Sequence, residues 1–276
     1  MGGTNVEVFI MITSIVVTNL MIPYITNMLV NTNSMGKNFK GETIPMGIGI
    51  TFIPIMIVNF IILISFIQDI KHTTLVILTS SSTMAFVGII DDLLGNRKVS
   101  GFKGHFKSFL RGELTTGFLK AFIGGTIALM ISLIYSSTFI EIIINTFIIA
   151  LFTNLLNLLD LRPGRAVKSY LFLAVLFLLL GITYFCRVIL FSIIGYCIGY
   201  LPQDLKARVM MGDSGSNSLG ISLGVISVIS FSIGIKYIIL IILILMHFVA
   251  ERYSFSKIIE SNIILNYIDK LGQNLK

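Results

Sequence analysis

The sequence predicts an all-α, polytopic integral membrane fold, on three observations. Charged residues make up 12% and hydrophobic residues 55% of the 276 positions, where a soluble domain carries about 25% charged residues. The apolar residues come in runs near the ~20 residues that carry a helix across a bilayer, not at amphipathic periods. The roughly ten-residue alternating segments of a membrane β-barrel are missing, which leaves helices as the structure that satisfies its own backbone in lipid.

Taken in order, about nine runs read as transmembrane helices: 6–30, 45–67, 73–90, 116–136, 139–159, 169–185, 188–202, 217–235 and 236–250. The first has no basic region before it and no small-residue cleavage site, so it reads as a retained span. Only Arg187 divides the runs at 169–185 and 188–202. Cys186 and Cys197 fall within or beside spans, which speaks against a disulfide or a cysteine metal site. In a soluble protein the net charge of +7 would suggest nucleic acid; here the placement of Lys and Arg in loops explains it, and no nucleic-acid partner is expected. Sixteen Lys and Arg fall in 31–44, 91–115, 160–168, 203–216 and 251–276, against Lys71, Arg187 and Lys236 in the alternate connections. That bias places the N-terminus outside and the C-terminus in the cytoplasm. Residues 1–250 read as one transmembrane domain, and 251–276 as a cytoplasmic amphipathic segment on the membrane surface, with Ser254 or Ser256 as its cap.

The polar residues of interest fall in the loops on the basic side. Loop 31–44 leads from Lys40 into Pro45-Met46-Gly47-Ile48-Gly49, where proline suits a helix start and the glycines permit close backbone approach. Loop 91–115 opens on Asp91-Asp92 at the end of an apolar run. Ionisable residues there are candidates for function, because burying them in a span costs roughly 2.5–3.5 kcal/mol. Arg97, Lys98, Lys103, Lys107 and Arg111 follow and suit phosphates or anionic lipid. His105 reads as a surface residue. Lys120 lies about one turn into the next span, where snorkelling and function are both open. Asn154, Asn157 and Asp160 are three apart, which puts them on one stripe of a helix, followed by Arg162 and Arg165 in a Pro-Gly turn. Asp213 lies in a glycine-flanked turn before a span, where it can cap the helix or hold a cation. His247 and Glu251, four apart, form a weak candidate metal pair.

Asp91-Asp92, then Asn157 and Asp160, then Gly212-Asp213-Ser214-Gly215-Ser216, each in its own loop, resemble the polyprenyl-phosphate N-acetylhexosamine-1-phosphate transferase superfamily, from about Lys40 to Gly220. The resemblance implies Mg2+-dependent transfer of a sugar-1-phosphate from a UDP-sugar to a polyprenyl phosphate, with release of UMP, in cell-envelope glycan synthesis at the cytoplasmic face. It implies Asp91, Asp92 and Asp160 as catalytic residues, with Asp91 against the lipid phosphate and Asp213 as metal ligand. Asn154, Asn157, Lys40, Lys107, Arg162 and Arg165 become substrate-binding candidates. Family members often dimerise, which leaves a homodimer open. The chain departs from the family pattern at Pro163, where a second aspartate is usual, and it has no histidine after His247 where the family's last loop carries a cluster. Those departures motivate a rival reading, a catalytically silent homologue that binds lipid phosphate or scaffolds an envelope complex. A secondary transporter is a weaker rival, because no internal repeat is visible.

Overall fold

The computed structural model describes residues 3–95 and 101–273. Arg97 and Lys98 of the second basic loop, and Lys276, lie outside the described residues. The chain forms α1 (Gly3–Asn31), a hairpin of β1 (Met35–Lys37) and β2 (Thr43–Pro45), α2 (Phe52–Phe66), α3 (Lys71–Leu94), α4 (Gly101–Leu110), α5 (Thr116–Tyr135) and α6 (Phe139–Leu159). It continues through α7 (Arg165–Leu180), α8 (Tyr184–Leu205), α9 (Gly212–Ser230), α10 (Ile233–Arg252), α11 (Phe255–Ser261) and α12 (Ile263–Lys270). The hairpin, with Met35 opposite Pro45 and Lys37 opposite Thr43, is a small β addition to the helical class.

A helix lies over each predicted span, yet among the described residues seven, not nine, are long and apolar enough to cross a membrane. The two that fall short have different reasons. Helix α7 has only 16 residues. Helix α9 is rich in serine and glycine, and it is buried from Ser214 to Val228 between α3 and α6. Its hydroxyls are satisfied locally: Ser218 donates to the Ser214 carbonyl, Ser222 to Leu219 and Ser227 to Leu223. A helix that faces protein on all sides can carry such residues, because small side chains and bonded hydroxyls let neighbouring backbones approach.

Two predicted boundaries move. The break between α7 and α8 falls at Gly181, whose φ of 80° suits glycine, and Arg187 lies inside α8. Asp213 is in the first turn of α9 instead of in a loop before it.

The bundle has two chemically distinct ends. At one, Arg187 of α8 meets Glu7 of α1 at 2.5 Å, and Lys236 of α10 meets Glu141 of α6 at 3.0 Å. At the other lie the end of α3, the start of α5, the end of α6 and the start of α9. There the first and fourth loops are laced together, since Gly47 and Ile48 donate to the Met210 carbonyl and Met210 donates to the Pro45 carbonyl.

Candidate active site

The first turn of α9 is the anchor of this end. Gly212 enters it with φ of 71°. The Asp213 and Ser214 N–H groups then donate to the two carboxylate oxygens of Asp92, at 3.0 and 3.3 Å. Those are among the N–H groups that a helix start leaves without an intrahelical partner, and an anion there also meets the positive end of the helix dipole. The cap is therefore Asp92, from another helix, and not Asp213. The approach of α3 to α9 is close enough that a methyl group at Gly88 would overlap the Asp213 carbonyl.

Lys120 closes the second side. Thr115 caps α5 by accepting from the Phe118 N–H, and its hydroxyl also pairs with His105 Nδ1 of α4 at 2.9 Å. So started, α5 carries Lys120 one turn in, where its ammonium donates to Asp91 Oδ2 at 2.7 Å and to Asp213 Oδ2. The cation of this cluster is thus Lys120. Lys107 is exposed on α4 and is not brought to the aspartates.

The predicted polar stripe on α6 holds for Asn154 and Asn157 and then stops. Helix α6 ends at Leu159, and Asp160 is its C-cap, with φ of −78° and ψ of 44°. Asn157 accepts from the Ser216 hydroxyl of α9 at 3.3 Å. Asp160 still faces the same cleft: desolvation and the carboxylates of Asp204, Asp213 and Asp92 push it well above the usual carboxylate range, and the Gly212 N–H only partly opposes them. Asp91, Asp92, Asp160 and Asp213 therefore converge from three separate stretches, the end of α3, the end of α6 and the start of α9.

A cavity of about 700 Å³ opens beside them, with Asp91, Lys120, Asn154, Asn157, Asn217 and His247 among its lining residues. His247 Nδ1 donates to the Leu243 carbonyl at 2.8 Å, and Glu251 lines the cavity one turn further on.

The arginines go elsewhere. Arg165 is 3% exposed and forms a bidentate pair with Asp269, at 2.8 and 2.9 Å, with Ser256 as a third partner. Arg162 pairs with Glu260 at 3.0 Å and stands 4.8 Å from the Phe39 ring. Lys40 is exposed between β1 and β2. None of the three contacts the aspartates. The prediction of arginines facing phosphate beside Asp160 missed carboxylates far along the chain, Glu260 and Asp269, that claim them first. Asp204, at the end of α8, was also missed; it is buried and accepts from the Gly164 N–H at 2.9 Å. Its signal was an acid at the end of an apolar run, the same signal that singled out Asp91.

The donor set limits how a divalent metal could be held here. Among the described residues no three His, Cys, Asp or Glu side chains stand together as a cage. Asp92 is occupied by the α9 amides, and Lys120 bridges Asp91 and Asp213. Even so, the cluster sets one lysine against four aspartates, and Asp160 is raised first by desolvation and then by the carboxylates of Asp204, Asp213 and Asp92. Mg2+ prefers oxygen donors and needs only one or two carboxylates when phosphate and water complete its shell. The residues fit an ion held jointly with a phosphate-bearing substrate.

The sequence profile described as glycosyl transferase family 4 matches residues 74–231. The chain is 27% identical over 235 residues to a phospho-N-acetylmuramoyl-pentapeptide-transferase of Prochlorococcus marinus, covering 77% of this chain and 63% of that protein. It is 26% identical over 221 residues to the protein of the same name from Nautilia profundicola, covering 70% and 62%. The chain thus spans less than two thirds of the length of these relatives. Because the matched stretch exceeds half of the sequence and carries every aspartate of the cleft, the chain belongs to glycosyl transferase family 4, the family of polyprenyl-phosphate sugar-1-phosphate transferases.

Proposed function

We propose that this chain is a Mg2+-dependent phosphoglycosyl transferase of the cell membrane. It moves a sugar-1-phosphate of the N-acetylhexosamine type from a UDP-sugar to a polyprenyl phosphate and releases UMP, in envelope glycan synthesis. The observation that carries the reading is the convergence of Asp91, Asp92, Asp160 and Asp213 with Lys120 around one helix start. The excess of Lys and Arg in the loops of this end supports a cytoplasmic placement for it, and the reading takes residues 1–250 as the transferase domain with α7 and α9 completing nine passes.

In the reaction an oxygen of the lipid phosphate bonds to the sugar-linked phosphorus. The bond to the uridylate phosphate breaks, and its electron pair leaves with UMP. Such transfers need positioning and charge neutralisation more than covalent help. A lipid phosphate is already ionised at neutral pH, so Asp91 orients it and removes no proton. The Lys120 ammonium meets developing charge on phosphate oxygens, in a partly buried site where its field is strong. Asp92 holds the α9 start, and with it Asp213, in place. Mg2+, when bound by Asp213 with Asp160, supplies further charge neutralisation on the diphosphate.

A silent homologue is the second reading. It is favoured by Pro163 in place of the family's second aspartate and by the ammonium already seated between Asp91 and Asp213. UMP release by purified protein from a panel of UDP-sugars, with undecaprenyl phosphate and Mg2+, separates the two. Turnover lost by at least about a hundredfold in Asp213→Ala, with unchanged thermal stability, supports the enzyme. Turnover that survives that change removes it. No turnover with any donor, together with retained polyprenyl-phosphate binding, leaves the silent homologue.

A further inference from the structure

The C-terminal segment lies outside the stretch matched by the family profile, yet it is bound to the turn that carries Asp160. That turn, residues 160–164, makes side-chain bonds in two directions. Towards α8, the Gly164 N–H donates to the buried Asp204. Towards the C-terminus, the Pro163 carbonyl accepts from Gln273 Nε2 at 2.8 Å, Arg162 pairs with Glu260, and Arg165 pairs with Asp269 and Ser256.

The grip is specific. Lys168 donates to the carbonyls of Ile268, Asp269 and Leu271, and so caps the end of α12. Asn262 accepts from the Ile264 and Leu265 N–H groups and starts the same helix. Leu205, at the end of α8, fits against Gly164 and Gly272, both in the left-handed region, with φ of 77° and 76°. An added methyl group at Gly164 would run into it. At its other end the segment leaves α10 just after Glu251, which lines the cavity. Residues 255–273 thus run from one wall of the cleft to the turn beneath another.

We propose that residues 255–273 are a strap that positions Asp160 for the reaction, with Arg165 and Asp269 as positioning residues. Neither contacts the aspartate cluster. They act by fixing the backbone on which Asp160 sits, where a displacement of the order of 1 Å is enough to cost rate. A buried guanidinium held by both oxygens of a carboxylate fixes direction as well as distance.

The test uses full-length protein in detergent, comparing wild type, Asp269→Ala and Asp269→Glu. Backbone hydrogen exchange is followed over residues 159–166, with α3 and α9 as internal references. In Asp269→Ala the turn exchanges about tenfold faster while α3 and α9 keep their protection, and Asp269→Glu restores the wild-type rate. In UMP release, kcat falls at least about tenfold while the donor KM changes by less than about threefold. If loss of Asp269 prevents folding, because Arg165 is left buried and unpaired, Ser256→Ala with Gln273→Ala removes two strap contacts without stranding a charge. Unchanged exchange in the turn overturns the strap. Faster exchange with unchanged kcat overturns the positioning role. The kinetic arm alone rests on the proposed function: a wild type with no turnover, whose turn still loosens in the variant, removes that function and leaves the strap.

Discussion

Lys120 shows how one side chain can hold a cleft together. Its ammonium is the cation shared by Asp91 and Asp213, so its loss leaves two carboxylates facing each other without a counter-charge. Lys120→Met is expected to lower UMP release by at least about a hundredfold. Lys120→Arg is not expected to restore it, because a planar fork does not replace a compact ammonium between two oxygens. Asp160 gives a pH signature. Desolvation and the neighbouring carboxylates push its folded carboxyl well above the usual carboxylate range, so between the unfolded and folded values the native chain binds more protons than the unfolded one. A raised carboxyl contributes stability that is complete below the unfolded value and is lost as pH rises through the folded one. Without divalent cation, Asp160→Asn is therefore expected to melt higher than wild type at neutral pH, by about 2–4 °C for each kcal/mol relieved. The difference closes towards pH 4, and melting in detergent at several pH values checks it. Lys120 and Asp160 were both visible in the sequence as ionisable residues at span ends. What could not be seen was which of Lys107 and Lys120 reaches the aspartates, because that depends on how α4 and α5 pack.

Helix α3 meets α9 through a glycine, and the cap depends on that contact. At Gly88 a methyl group collides with the Asp213 carbonyl, part of the backbone and unable to swing aside. Gly88→Ala is expected to cost about 1–3 kcal/mol of stability and to weaken the hold of Asp92 on the α9 start. Asp92→Ala removes the cap alone and is expected to cost about 0.5–2 kcal/mol. If the first variant loses no more activity per folded molecule than stability accounts for, the contact matters only for packing; unfolding scans beside UMP release separate these. The elements themselves were legible, since each predicted run holds a helix. The end of the run at 159 was legible as well, since α6 stops there, whereas the boundaries near 181 and 213 were not. The Asn-x-x-Asn-x-x-Asp spacing continues the helical stripe to Asp160, but the chain leaves the helix after Leu159 into the Pro163-Gly164 turn, and what the sequence did not show is that this turn bonds to Asp204 and Gln273, both distant along the chain.

The bundle as a whole sorts its charges to two ends, and the sorting makes a topological forecast. Single cysteines at positions 107 and 257, in a variant lacking Cys186 and Cys197, are expected to react with an impermeant thiol reagent only from the cytoplasmic side. Cysteines at 71 and 181 are expected to react only from the opposite side. Labelling of 107 from outside whole cells would reverse the orientation. The fold class and the alternation of ends were readable because lipid imposes them on composition. The polar character of α9 was readable too, but its meaning was not: a serine-rich stretch becomes an interior helix only once α3 and α6 are there to surround it. That has a consequence for how the protein is made. Emerging from the ribosome alone, α9 is too polar to partition readily from the translocon into lipid. The helices that surround it, α3 and α6, precede it in the chain, so assembly of the candidate site is expected to follow the order of synthesis.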